Sequence, residues 1–163
     1  MARQTHVSET PATQFLRLHR VPFVEHVFEY LEHGGALHSA HALGVDPHRV
    51  VKTLVMQDEG RRPLLVLMHG DCSVSTRNLA RQIGRKSVEP CKPEVANRHS
   101  GYLAGGTSPF ATRKTMPVYF EQSILGLPGM LVNGGRRGYL VEIDPATALG
   151  LLRAQPVHCA LAE

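Results

Sequence analysis

The sequence predicts a single α+β or mixed α/β domain, in which a curved mixed sheet is partly wrapped by helices. Three observations predict it. Helical and strand patterns interleave without the strict alternation of a parallel β-α-β sheet. Several neighbouring strand candidates are joined by short turns, which makes their pairing antiparallel. Finally, 163 residues with no linker, repeat or low-complexity stretch suit one domain with a proper core.

The elements follow from local signals. Thr10-Pro11 reads as an N-cap and first helical position, and Phe15, Leu16 and Leu18 give the apolar side of a helix ending near His19. Val21 to Phe28 is a strand candidate, with Pro22 at its start, where the missing N–H does least harm. Leu37 to Leu43 is a short helix closed by Gly44, and Asp46-Pro47 caps a further turn. The apolar runs Val50 to Gln57 and Leu64 to Met68 flank turn residues 58–63 and form a hairpin. Ser75 caps a helix through Leu79 and Ile83, stopped by Gly84. Ser87 to Glu89 is a brief strand, Pro93 to Arg98 a short helix, and Met116 to Phe120 and Met130 to Asn133 are strands. Residues 134–138 turn the chain into the strand Tyr139 to Ile143. Asp144-Pro145 then opens a helix through Leu149 and Leu152, and Val157 to Ala160 is the last strand.

Composition narrows the function classes. Hydrophobic residues make up 42% and charged residues 20%, ordinary values for a soluble globular domain. No apolar run approaches the roughly 18 residues that span a bilayer, so no membrane partner is expected. Residues 1–9 lack the apolar core of a signal peptide and read as a short disordered lead to a domain at 10–163, with the cytoplasm as default compartment. Cys72, Cys91 and Cys159 are odd in number and far apart, which fits neither a CxxC pair nor a disulfide framework. Eighteen basic against fourteen acidic residues leave a formal charge of +4, which favours an anionic partner such as nucleic acid.

Three segments carry candidate chemistry. Lys52 lies in the apolar run Arg49-Val50-Val51-Lys52-Thr53-Leu54-Val55-Met56, where a cation is costly without a partner. The alternative is that it snorkels to the sheet edge. Gly105-Gly106-Thr107-Ser108-Pro109 offers backbone N–H groups of Gly105, Gly106 and Thr107 and the hydroxyls of Thr107 and Ser108 to a developing oxyanion, unless it is only a surface turn. Gly134-Gly135-Arg136-Arg137-Gly138 is either a tight hairpin or a phosphate contact through its arginines. Lys52 is expected to work opposite these two backbone cradles. His33, His38 and His41 lie close in sequence, but no HExxH motif accompanies them and no metal site is expected. Ser108 lacks a His/Asp pairing and no Gly-x-Ser-x-Gly elbow exists, which argues against a serine hydrolase. Arg77, Arg81, Arg85 and Lys86 form a basic stripe suited either to solvent or to an RNA backbone.

These segments resemble the YbaK/EbsC family, freestanding relatives of the editing domain inserted in bacterial prolyl-tRNA synthetases. The resemblance runs from about Thr10 to about Ala160 and rests on Leu43-Gly44-Val45-Asp46-Pro47, Val51-Lys52-Thr53-Leu54, Ser100 to Pro109 and Gly134 to Gly138. It implies a YbaK-like fold with a barrel-like mixed sheet, and deacylation of mischarged tRNA: Cys-tRNA(Pro), or Ala-tRNA(Pro) in some relatives. It implies no cofactor. The implied partners are aminoacyl-tRNA and the prolyl-tRNA synthetase, not DNA. Carried across, Lys52 matches the family's essential lysine and Thr53 the threonine after it. Gly105 opens the Gly-x-x-x-Pro loop through Gly106, Thr107, Ser108 and Pro109, and Gly135 is the second glycine of the later loop. Lys52 and Gly105 are thus the implied catalytic pair, with the others lining the substrate site. Phe28 stands where typical members carry tyrosine, and Asn133 where they carry serine. The stretch from Glu29 to His41 is shorter and histidine-rich. The resemblance also implies that the substrate's own thiol attacks its carbonyl, or that water does so for an alanyl ester.

Overall fold

A computed structural model describes residues 9–163. The expected lead at 1–9 therefore lies outside the described residues, except for exposed Glu9. Helix α1 (Pro11–Leu18) begins at a reciprocal cap, in which Thr13 N–H donates to Thr10 Oγ1 at 3.1 Å and Thr10 N–H to Thr13 Oγ1 at 2.9 Å. Its buried Ala12 and Leu16 join the main core, and Thr10 Oγ1 reaches across to the Gly134 carbonyl.

Strand β1 (Val24–Val27) is shorter than the expected Val21 to Phe28, and helix α2 (Gly35–Leu43) ends at Gly44 with φ +67°. A 3₁₀ turn at Pro47–Arg49, capped by Asp46, leads into β2 (Val50–Asp58), which pairs antiparallel with β3 (Pro63–His69). Strand β4 (Cys72–Val74) follows, then helix α3 (Thr76–Ile83) between Ser75 and Gly84, β5 (Val88–Pro90) and helix α4 (Pro93–Ser100). After β6 (Val118–Glu121) and a 3₁₀ turn at Gln122–Gly126 come β7 (Met130–Arg136), β8 (Tyr139–Ile143) and helix α5 (Pro145–Leu152). The expected final strand divides in two, β9 (Gln155–Val157) and β10 (Ala160–Ala162).

The main sheet is mixed and runs β1-β8-β7-β2-β3-β6-β9, with β5 on the edge of β2; β10 and β4 form a separate pair. Three ladders are parallel (β2 with β7, β3 with β6 and β6 with β9), which short turns alone do not announce. The ends β1 and β9 share no ladder among the described residues. Alternation along β2 and β3 splits the core. Val51, Val55, Leu65 and Leu67 face one cluster, with Phe110, Phe120 and Met130. Met56, Leu64, Val66 and Met68 face another, against Leu79 of α3. A small third cluster joins Ala40 of α2 to Val50, Leu131 and Leu140. No described helix is long and apolar enough to cross a membrane.

Candidate active site

The site opens where strand pairing stops. One edge of β2 is filled by β3 along nearly its whole length. The opposite edge is shared: β7 takes Val50 and Val51, and β5 takes Met56 to Asp58. Backbone groups of alternate residues point to the same edge, so Val51, Thr53 and Val55 all address this side. Val51 has β7 opposite it, and the Val55 carbonyl accepts from Cys91 N–H at 3.1 Å. Thr53 has neither strand opposite it. Its Oγ1 is also buried without a hydrogen-bond partner among the described residues. Unpaired polar groups at the wall of a cavity are unusual in a folded protein and mark a place for a ligand.

A cleft of about 550 Å³ lies along this gap. Phe28, Ala36, Val50 and Leu140, at the rim of the third core cluster, give it an apolar wall. Lys52, Thr53, Gly105, Thr107 and Asn133 give it a polar one.

Lys52 is only 26% exposed along its side chain. Its Nζ donates to the Cys72 carbonyl at 2.5 Å and lies 3.7 Å from Glu163 Oε1. The ammonium therefore neither snorkels into open solvent nor rests on the glycine amides. An ammonium has donors only, so it meets a carbonyl rather than another N–H. Lys52 lines the cleft, and with three donors its ammonium keeps capacity for a ligand oxygen.

Asn133 ties the two glycine loops together. Its Nδ2 donates to the Gly105 carbonyl at 3.1 Å, while its Oδ1 accepts from Gly135 N–H at 2.7 Å and Arg136 N–H at 3.1 Å. Arg137 Nε adds a bond to the Ala104 carbonyl at 2.9 Å and its guanidinium lies over the Tyr30 ring. Gly105 needs to be glycine: its φ is +85°, and a Cβ would fall 2.8 Å from the Tyr30 hydroxyl. At Gly106 a Cβ would sit 3.0 Å from the Arg136–Arg137 backbone.

This packing sorts the expected site residues. Phe28, Lys52, Thr53, Gly105, Thr107 and Asn133 share the cleft. Gly106, Ser108, Pro109 and Gly135 stand behind it. Gly106 N–H is spent on the Leu103 carbonyl at 2.8 Å. Ser108 is fully buried and its hydroxyl accepts from Phe110 N–H at 3.2 Å, so it is not a donor to the cleft. Pro109 is buried beside it, and Gly135 (φ +104°) packs against Thr10 and Tyr102. Tyr102, its phenol pushed up to about 12 by burial, donates to the Phe110 carbonyl at 2.6 Å and fixes this loop from beneath. The N–H groups of Gly105 and Thr107 remain without an acceptor among the described residues.

Tyr30 and Pro93 also line the cleft and were not expected as substrate-site residues, and Arg137, expected only as a candidate phosphate contact, lines it too. Tyr30 lies two residues from Phe28, just beyond the expected strand, and both line the cleft. His33 and His38 line the mouth of the cleft, but the three expected histidines do not converge. His33 is exposed, His38 Nε2 bonds the Glu29 carbonyl at 2.8 Å, and His41 is exposed.

Comparison with known proteins agrees with this architecture. Residues 36–150 match the family described as the aminoacyl-tRNA editing domain. A relative from Enterococcus faecalis, named "Putative Cys-tRNA(Pro)/Cys-tRNA(Cys) deacylase EbsC", is 30% identical over 156 residues, 95% of each chain. The proline–tRNA ligase of Limosilactobacillus fermentum is 22% identical over 105 residues, which are 62% of this chain and 18% of the ligase. A solved structure described as a "putative trans-editing enzyme for prolyl tRNA synthetase" superposes with a TM-score of 0.80 at 23% identity, covering 95% of this chain and all of that one, which is a likeness of fold. With its fold and most of its length accounted for in this way, the chain belongs to the aminoacyl-tRNA editing domain family.

Proposed function

We propose that this protein is a trans-acting deacylase that cleaves the aminoacyl ester at the 3′ end of mischarged tRNA, with Cys-tRNA(Pro) as its foremost substrate. The observation that carries the reading is the unpaired stretch of β2 at Thr53, which lines one cleft with Lys52 and with Gly105 and Thr107, whose N–H groups have no acceptor among the described residues. A cleft of about 550 Å³ is within the range that holds a compact ligand such as an aminoacylated adenosine.

The chemistry asks little of the protein. An aminoacyl ester is already activated, and its hydrolysis needs positioning and a place for the developing oxyanion. The N–H groups of Gly105 and Thr107 supply that place. Lys52 holds ribose or phosphate oxygens with its free donors. Thr53 takes up polar edges of the terminal nucleoside. The apolar wall of Phe28, Ala36, Val50 and Leu140 receives a small side chain. No cysteine lines the cleft among the described residues. In this reading the attacking atom is that of a water or of the substrate's own thiol. The similarity to part of a proline–tRNA ligase supports prolyl-tRNA synthetase as a functional neighbour.

A panel of charged tRNAs tests the reading. Cys-tRNA(Pro) should be deacylated fastest, Ala-tRNA(Pro) more slowly if substrate thiol assistance operates, and correctly matched Pro-tRNA(Pro) least. Inertness toward every member would retire the proposal.

A second surface favours RNA engagement away from the cleft. Arg77 and Arg81, one turn apart on α3 and both exposed, join Arg85 and Lys86 around a groove of about 480 Å³. Arg85 Nε lies 3.2 Å from Asp58 Oδ2 at the far end of β2. Asp58 lies six residue steps along β2 from Lys52, roughly 20 Å of extended chain. Single-stranded RNA covers that span in a few nucleotides. Replacing Arg77 and Arg81 together with glutamate should weaken tRNA binding and flatten its logarithmic salt dependence by about 0.7 per lost single-strand phosphate contact. An unchanged salt slope would place the RNA elsewhere.

A further inference from the structure

We infer that His48, Asp71 and Cys72 form a binding site for a thiophilic divalent cation of the zinc class, one backbone carbonyl away from Lys52. The three donor atoms lie within 4.8 Å of one another. Asp71 Oδ1 is 2.8 Å from His48 Nδ1 and 3.5 Å from Cys72 Sγ. A tetrahedral zinc ion bound at about 2.0 Å to nitrogen or oxygen and about 2.3 Å to sulfur sets its donors roughly 3.3–3.6 Å apart. The carboxylate and thiol already have that spacing; the imidazole nitrogen needs to withdraw from the carboxylate by about half an ångström and to settle at about 3.5 Å from the sulfur, from which it now lies within 4.8 Å. One thiolate, one imidazole and one carboxylate select zinc over magnesium or calcium, which prefer oxygen alone. Three protein ligands leave the fourth position to water.

The donors are held in place by the surrounding fold. Asp46 caps the 3₁₀ turn that carries His48. The ring of buried His69 stacks on His48 at 3.6 Å with planes 7° apart, and its Nδ1–H donates to the His48 carbonyl at 2.7 Å. Gly70 seats the β3–β4 turn directly on this segment: a Cβ there would lie 2.7 Å from the carbonyl oxygens of both Pro47 and Val50. Cys72 is 8% exposed, whereas the side chains of His48 and Asp71 are 42% and 39% exposed, so the thiol is the inner ligand and the open side admits the ion. Nearby charge does not forbid a cation, because Glu163 lies 3.7 Å from the Lys52 ammonium and offsets it. Loading exchanges the Cys72 thiol proton for the metal. That proton leaves to solvent, and the imidazole carries its hydrogen on Nε2 while Nδ1 binds. No electron is transferred. Because Lys52 Nζ is anchored on the Cys72 carbonyl, the ion acts on the residue that holds the cleft's ammonium.

The test is titration of the full chain with zinc, followed by calorimetry, and with cobalt(II), followed by its thiolate charge-transfer absorption. The expected result is one ion per chain, with the sulfur band present. C72S should abolish the band, and both C72S and H48Q should weaken zinc by at least about tenfold. C91S and C159S should leave uptake and band unchanged. Circular dichroism checks that each variant folds, and H48Q, at a half-exposed position, keeps the test open if C72S does not. Failure to take up stoichiometric zinc, uptake unaltered in both C72S and H48Q, or equal competition by magnesium would overturn the site and leave His48–Asp71 as a clamp between two turns.

Discussion

Lys52→Ala should reduce kcat/KM for the mischarged tRNA by about 100-fold or more while leaving the fold in place. The activity side follows from the placement of the residue. Among the described residues Lys52 is the only lysine lining the cleft, beside the one stretch of β2 that has no strand opposite it. Without the ammonium, the terminal ribose or phosphate loses a charged donor, and the ester drifts from the Gly105 and Thr107 N–H groups. The stability side follows from how little the ammonium holds together. It makes a hydrogen bond to the Cys72 carbonyl and lies 3.7 Å from the half-exposed Glu163 carboxylate. Removing both interactions costs on the order of 1 kcal/mol, a shift of a few degrees in Tm. Single-turnover deacylation and thermal unfolding measured on the same preparation separate the two effects. Full activity in a well-folded Lys52→Ala protein would remove this lysine from the reaction.

What the sequence made legible was whatever is decided within a few residues. Thr10-Pro11, Asp46-Pro47, Ser75 and Asp144-Pro145 each open a helix or 3₁₀ turn where the side chain meets the backbone N–H two or three positions on. Gly44 and Gly84 close helices at φ +67° and +72° for the same local reason. Pairing is not local. The parallel neighbours of β2, β3 and β6, and the match of Cys72–Val74 with Ala160–Ala162, join segments far apart in sequence, and period-2 patterning is silent about partners. Residues Gly134 and Gly135 read as a turn, yet they continue β7 through an irregularity between Asn133 and Arg136, since glycine serves a bulge as readily as a turn.

The same division runs through the site. Lys52 and Gly105 were visible as residue types in telling positions, Thr53 and Asn133 only through the family resemblance, and the four do share a cleft. The open edge of β2 was not visible, because it exists only where β7 ends its pairing and β5 has yet to begin. Nor was the cluster of His48, Asp71 and Cys72, which depends on Gly70 packing one turn against another. Ser108 illustrates the reverse: a hydroxyl in a glycine-rich loop suggests a ligand, whereas full burial commits it to Phe110 N–H.

Asn133→Ala should be nearly as damaging to activity as loss of Lys52, and it should also cost stability. The carboxamide satisfies the Gly105 carbonyl and the N–H groups of Gly135 and Arg136, three groups on two loops that no regular ladder joins. Alanine leaves all three without that partner, although Asn133 is only half-buried and water reaches part of the gap. The expected loss is about 1–3 kcal/mol. More consequentially, Gly105 would no longer be fixed relative to β7, and an oxyanion donor misplaced by an ångström lowers kcat/KM by about 100-fold. Asn133→Ser separates the two roles. A hydroxyl still accepts from Gly135 or Arg136 but is too short to hold Gly105 as well, so stability should recover further than activity. Amide exchange at buried Gly106, whose N–H donates to the Leu103 carbonyl within the same loop, reads the loop alongside deacylation rates. Should Asn133→Ala keep both its activity and its Gly106 protection, the clamp between the glycine loops would have no part in building the oxyanion site.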